Sequence, residues 1–195
     1  MKLRIKYFEG ATHLEKIAKG NWIDVYARKD VFIQLKEKGM IPLGFALELP
    51  TGWEGHLAPR SSTFKTWGVI QTNSIGIVDD TYIGDNDEWM MPVYCLKSYG
   101  TEYTIEKVKE LLGGFDENTT TEEYETYIKY TKKIITQPFN KVSEKVVINR
   151  KGTWIHEGDK IGQFRIMEVM PELEFEEVES FGNEDRGGFG TTGTK

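Results

Sequence analysis

Cysteine is almost absent. Cys95 is the only one in 195 residues, which excludes an internal disulfide and suits a reducing compartment. It lies in the apolar run MMPVYCL and reads as a small buried hydrophobe. Histidine is scarce too, and His13, His56 and His156 show no metal-ligand spacing; H-E-G-D at 156–159 is not H-E-x-x-H. No apolar run approaches the roughly 20 residues that span a bilayer. The N-terminus, MKLRIKYFEG, alternates charged and apolar residues and lacks the apolar stretch of a secretory signal. These absences predict a cytoplasmic protein with no membrane partner. Basic residues are the minority, 25 Lys and Arg against 31 Asp and Glu, for a net charge of −6 and a pI near 5.3. That balance argues against nucleic acid as a partner and requires any phosphate-binding groups to be local.

What is present is a β pattern. A hydrophobic content of 38% and a charged content of 29% fit one ordinary domain with room for an insertion. Short apolar runs recur at 2–8, 22–27, 30–35, 40–49, 54–59, 68–73, 75–78 and 89–96, each bounded by Gly, Pro, Asn or Asp. This is the punctuation of an all-β sandwich or barrel. From residue 97 the character changes. Ile105, Val108, Leu111 and Leu112 share one helical face, ended by Gly113 and Gly114. TTTEEYETYIKYTKKIIT then predicts a second helix, with Thr120 and Glu123 as a capping box and Pro138 as its stop. Strand character returns at 144–149, 152–155 and 160–170. The reading is a β domain over 1–96 and 144–180, a helical insertion over 97–143, and a flexible glycine-rich tail over 181–195.

Residues 59–82, PRSSTFKTWGVIQTNSIGIVDDTY, hold the densest chemistry. Arg60, Ser61 and Ser62 offer a guanidinium fork and two hydroxyls suited to phosphate oxygens. A glycine-punctuated, β-branched segment then predicts a hairpin, ending at Asp79, Asp80 and Tyr82. Strand alternation sends the two carboxylates to opposite faces, so one enters a site as a candidate base. Taken alone, Arg60-Ser61-Ser62 also fits a surface turn and Asp79-Asp80 a strand end. GDNDEW at 84–89 lacks the glycine and distal glutamate of a calcium loop and reads as a solvated turn. GGFGTTG at 187–193 lacks the G-K-[ST] ending of a P-loop, though its glycines let backbone approach phosphate and Phe189 offers a flat face for a base.

The order of these signals resembles the homotrimeric deoxyuridine triphosphatase (dUTPase) family, which is marked by five short motifs. IDVYA at 23–27 is similar to the first, with Asp24 and Ala27 in its Asp-Leu-x-Ala core. APRSS at 58–62 resembles the second, and NSIGIVDDTY at 73–82 the third, with Asn73, Gly76, Asp79 and Tyr82 in place. GDKIGQ at 158–163 resembles Gly-Asp-Arg-Ile-Ala-Gln, the fourth, and RGGFGTTG at 186–193 the fifth. Three departures stand out. The fifth motif is two residues short between Arg186 and Phe189. Ile83-Gly84-Asp85 replaces Arg-Gly-Glu after Tyr82, and residues 97–143 have no counterpart in the minimal enzyme.

The resemblance implies an all-β fold, a distorted jelly-roll-like barrel, assembled as a homotrimer with sites at subunit junctions. It implies a dUTP diphosphatase, a hydrolase of nucleotide metabolism that converts dUTP to dUMP and pyrophosphate and keeps uracil out of DNA. Mg²⁺ is expected mainly on the substrate triphosphate, with Asp24 reaching it through water or acting at the subunit junction. Asp79 is the implied base. Asn73, with the backbone of Gly76, Ile77 and Val78, is implied to read uracil, and Tyr82 to pack under the sugar. Arg60, Ser61, Ser62 and Gln163 are implied phosphate ligands, Arg186 reaches the γ-phosphate, and Phe189 and Gly190 close over the base. Two other readings remain. A dCTP deaminase or bifunctional deaminase–pyrophosphatase shares an RSS-like triplet, but needs a glutamate where this chain has Asp79 and lacks the GGFG-type tail. A dUTPase-like protein can also carry an added regulatory role, with residues 97–143 binding a protein partner.

Overall fold

A computed structural model describes residues 1–184. The β domain begins with β1 (Arg4–Tyr7), β2 (Ile23–Tyr26), β3 (Val31–Gln34), β4 (Lys38–Pro42), β5 (Phe45–Glu48) and β6 (Trp53–Pro59). A short helix α1 (Thr63–Trp67) leads into β7 (Val69–Gln71), β8 (Gly76–Val78), β9 (Met90–Cys95) and β10 (Gly100–Thr101). Then come α2 (Ile105–Leu112), β11 (Thr119–Glu123), β12 (Tyr127–Thr136), β13 (Lys141–Ile155) and β14 (Lys160–Glu168). The all-β class predicted from the strand punctuation holds.

Two sheets position the chemistry. One has the order β2-β14-β6-β8 and the other β4-β9-β7. In β9 strict alternation turns Met91, Val93 and Cys95 inward, each fully buried. The core is centred on Phe45, Trp89 and Phe164, whose ring centroids lie 5.3–5.7 Å apart in tilted and edge-on geometries. Each such side chain contributes about 1.5–3 kcal/mol by leaving water. The run at 40–49, one strand on paper, is broken in two at Gly44, whose φ of +80° only glycine adopts cheaply.

Residues 97–143 correct the sequence reading. Only Ile105–Leu112 is helical, with Thr104 as N-cap accepting from the Lys107 N–H and Gly113 in the left-handed C-cap position. The predicted second helix is instead the β11–β12 hairpin, continued by β13. Thr120 pairs with Thr131 and Glu123 with Ile128, so neither takes part in a capping box. The physical reason lies in side-chain shape. Three consecutive threonines and the β-branched or aromatic Tyr127, Ile128, Tyr130 and Thr131 favour a pleated surface. The long partner β13 then supplies a ladder ten residue pairs deep. β13 also runs straight through the expected boundary at 143–144, pairing with β12 over its first two thirds and with β3 near its end. A second small core, Val108 and Leu112 of α2 against Tyr130, with Tyr103, Ile128 and Val147, holds the helix on this ribbon.

Candidate active site

Residues 59–82 form a larger loop than a simple hairpin. β6 pairs with β8, Gly55 opposite Val78 and Leu57 opposite Gly76, while β7 pairs with β9 in the other sheet. Pro59 lies opposite Gly162 on β14. Asp79 therefore sits beside position 54 of β6 and Arg60 just beyond its far end. At about 3.3 Å per residue the two are about 20 Å apart along the strand. One chain sends its two functional ends to two different clefts.

The first cleft, about 310 Å³, is lined by Asp24, Arg60, Ser61 and Gln163, with Lys19 and Trp22 beside them. Gln163 lies opposite Asp24 on β2 and Ala58 on β6, and its Nε2 donates to the Pro59 carbonyl at 3.2 Å. Arg60 Nε meets Asp24 Oδ1 at 3.0 Å, and Lys160 Nζ meets Asp24 Oδ2 at 3.3 Å. Contact with Asp24 is the first cause that holds the Lys160 ammonium above its ordinary pKa. The Arg60 backbone is pinned by the buried Thr63, which accepts from the Arg60 N–H at 2.9 Å and donates to the Ile161 carbonyl at 2.9 Å. Ser62 heads α1 without making a side-chain cap, so its hydroxyl is not spent on the helix.

The second cleft, about 340 Å³, is lined by Ile77, Val78, Asp79, Tyr82, Trp89 and Met90. Asp79 and Asp80 lie just past the end of β8 and point apart. Asp79 faces this cleft, whereas Asp80 accepts from the Gly52 N–H at 2.7 Å. The Asp79 carboxyl is held below its ordinary pKa, first by the Thr81 hydroxyl and then by the Thr81 backbone N–H, 2.8 Å from Oδ1. Tyr82 Oη donates to the Glu88 carbonyl at 3.3 Å. Glu88 in turn accepts from Arg28 Nε and Nη2 at 2.8 and 2.9 Å and from the Gly44 N–H at 2.9 Å. Asp87 closes the GDNDEW turn by accepting from the Gly84 N–H at 2.7 Å.

Asn73 lies in the turn between β7 and β8, where its Oδ1 accepts from Gln71 Nε2 at 2.8 Å, and Gly76 opens β8. Arg186, Phe189 and Gly190 lie outside the described residues. Sequence reading missed Thr63, Gln71, Glu88 and Lys160 as parts of this arrangement. For Gln71 a signal exists: it alternates with Val69, an inward position, and a polar side chain there is the anomaly. Asp24 has both oxygens engaged by cations, and among the described residues no group of three or more His, Cys, Asp or Glu gathers to hold a metal ion.

Together the fold and clefts define a class: an all-β protein with one cleft lined by Lys19 and Arg60 and a second that holds a carboxylate of lowered pKa. Comparison with known proteins narrows it. The dUTPase family model matches residues 21–90. The chain is 38% identical over 196 residues to the SPbeta prophage-derived deoxyuridine 5'-triphosphate nucleotidohydrolase YosS of Bacillus subtilis (strain 168), covering 100% of each. The chain belongs to the dUTPase family. It is also 35% identical over 92 residues to the deoxyuridine 5'-triphosphate nucleotidohydrolase of Orientia tsutsugamushi (strain Boryong), covering 44% of this chain and 62% of that one. Among solved structures, a mutant dUTPase of Staphylococcus bacteriophage 80alpha with dUpNHpp has a TM-score of 0.61 at 18% identity, with 99% of each chain covered. A mutant dUTPase from phage phi11 of S. aureus, which coordinates a structural Mg(II) ion, has a TM-score of 0.57 at 20% identity and covers 93% of this chain and 99% of that one. No helix among the described residues is long and apolar enough to cross a membrane.

Proposed function

We infer that this protein hydrolyses dUTP to dUMP and pyrophosphate. The observation that carries this is the full-length likeness to a deoxyuridine triphosphate nucleotidohydrolase. Asp79 takes a proton from water as the water attacks the α-phosphorus; the bond to the bridging oxygen breaks and pyrophosphate leaves. Its carboxyl, held below the ordinary value by Thr81, stays available to accept a proton at neutral pH, as any ionised carboxylate is. Arg60, Ser61, Ser62 and Gln163 hold phosphate oxygens, and Tyr82 packs under the deoxyribose. Asn73, with the backbone of residues 76–78, reads the uracil edge. Mg²⁺ bound to the triphosphate neutralises phosphate charge as the reaction proceeds.

The separation of about 20 Å between the two clefts supports a homotrimer in which the phosphate grip of one subunit completes the Asp79 cleft of another. Arg186, Phe189 and Gly190, by their order in the sequence, serve the γ-phosphate and the base. The ribbon of residues 97–143 leaves Ile135, Phe139 and Val142 exposed, an apolar tip suited to a protein partner. The work is cytoplasmic, in keeping with the buried thiol of Cys95.

The test is pyrophosphate release with dUTP, dCTP, dTTP and UTP in turn, for the parent and for Asp79→Asn. The expected result is turnover of dUTP above the others, lost in Asp79→Asn while a non-hydrolysable dUTP analogue still binds. Ammonia released from dCTP, or no dUTP turnover, would sink the proposal. Retained activity in Asp79→Asn would remove that residue from the role of base.

A further inference from the structure

Gln71 is buried, with 6% of its surface exposed, yet it is polar. Its Nε2 donates to the Leu57 carbonyl at 3.0 Å and to Asn73 Oδ1 at 2.8 Å. The polarity of this relay follows from chemistry. A backbone carbonyl has no hydrogen to give, so Gln71 must turn its NH₂ toward Leu57. The second hydrogen of that NH₂ then points at Asn73, and only the amide oxygen of Asn73 can receive it. Asn73 is an exposed residue, and the group it has left for a ligand is Nδ2, a donor. Gly76 completes the fit: a Cβ there would stand 3.4 Å from both Gln71 Nε2 and Asn73 Nδ2 and 3.3 Å from Leu57 Cβ.

We propose that Gln71 is a positioning residue that locks Asn73 as a hydrogen-bond donor, so that the site accepts a pyrimidine 4-carbonyl and rejects a 4-amino group. The proposal rests on the reading of Asn73 as a contact to the base edge. Uracil presents an acceptor at position 4, whereas cytosine presents an NH₂ donor there. With Asn73 free to turn its amide over, either base is satisfied. With Asn73 locked by Gln71, cytosine meets donor against donor and both groups go unpaired. The buried relay thus converts an ambivalent amide into a selective one.

The test measures kcat and KM for dUTP and dCTP on full-length Gln71→Met, Asn73→Asp, Asn73→Ala and the Gln71→Met/Asn73→Ala double variant. In Gln71→Met, kcat for dUTP is expected near the parental value with KM raised, and the dUTP-to-dCTP ratio of kcat/KM is expected to fall roughly 10-fold, one donor–acceptor match. In Asn73→Asp one oxygen keeps the Gln71 bond and the other faces the ligand as an acceptor, so the ratio falls at least as far. Asn73→Ala also lowers the ratio, and adding Gln71→Met to it changes nothing more. If Asn73→Ala keeps the parental ratio, Asn73 does not read the base and the underlying reading fails. If Asn73→Ala loses selectivity but folded Gln71→Met keeps it, the role of Gln71 is overturned. Should Gln71→Met not fold, Asn73→Asp at its exposed position decides, and a parental ratio there overturns the polarity of the relay.

Discussion

Replacing Glu88 with alanine tests what holds the Tyr82 side of the second cleft. Glu88 receives two hydrogen bonds from Arg28 and one from the Gly44 N–H, all between 2.8 and 2.9 Å. It thereby ties the chain after β2 and the β4–β5 turn to the loop that carries Asp79 and Tyr82. The two side chains are 24% and 14% exposed, so the pair is neither a surface bridge nor fully dry. A fully buried pair broken by removing one partner costs about 3–5 kcal/mol, and an exposed one about 0–1 kcal/mol. Partial burial, weighed against the loss of the Gly44 bond as well, puts Glu88→Ala at about 3 kcal/mol. For a chain of this size each kcal/mol lowers Tm by about 2–4 °C, giving a fall of about 6–12 °C. Glu88→Gln keeps an acceptor for Gly44 and for one Arg28 N–H, and should lose about half as much. The assay is calorimetry at one fixed protein concentration, since any oligomer makes Tm depend on it. Pairing Glu88→Ala with Arg28→Ala should give less than the sum of the two losses. A Glu88→Ala melting point within about 2 °C of the parent would place the pair with surface bridges and refute the reasoning.

Two further outcomes are expected. Thr81→Val removes the hydroxyl that does most to lower the Asp79 pKa, while the Thr81 backbone N–H remains. The Asp79 pKa rises, so the acid limb of the kcat profile for dUTP should move to higher pH with the neutral plateau kept; an unmoved limb would detach the hydroxyl from the base. Gly55→Ala places a Cβ 2.1 Å from Trp89 Cη2 in the centre of the core. Overpacking of this kind costs about 1–3 kcal/mol, visible as a lower urea midpoint at unchanged slope; an unshifted midpoint would mean that Trp89 has room to yield.

The β domain was legible because its strands announce their ends. Pro59 and Gly68 interrupt runs whose inward residues alternate, and each interruption falls at or beside an observed strand boundary. The β11–β12 hairpin was not, for a reason internal to the chain. In TTTEEYETYIKYTKKIIT the apolar residues satisfy a helical and a strand period nearly equally, and the arbiter is β13, a partner that lies outside the segment. Local pattern cannot weigh a ladder that exists only after the chain returns.

The same distinction governs the site. Arg60, Asp79 and Gln163 could be proposed from the sequence because the roles assigned to them depend on residue type and order, which survive in one dimension. The distance between Arg60 and Asp79, which face separate clefts, is set by the register of β6 against β8 and β14 and is not given by type and order alone. Gln71 falls between these cases. Its inward position follows from alternation with Val69, and a buried amide must find partners or cost free energy. The identity of those partners, Leu57 and Asn73, needs the fold. A polar residue at an inward strand position beside a binding loop is therefore a sequence-level signal of a residue that orients its neighbours rather than touches the ligand. In this chain that residue is Gln71, inside residues 59–82, and the proposal gives it the task of orienting Asn73.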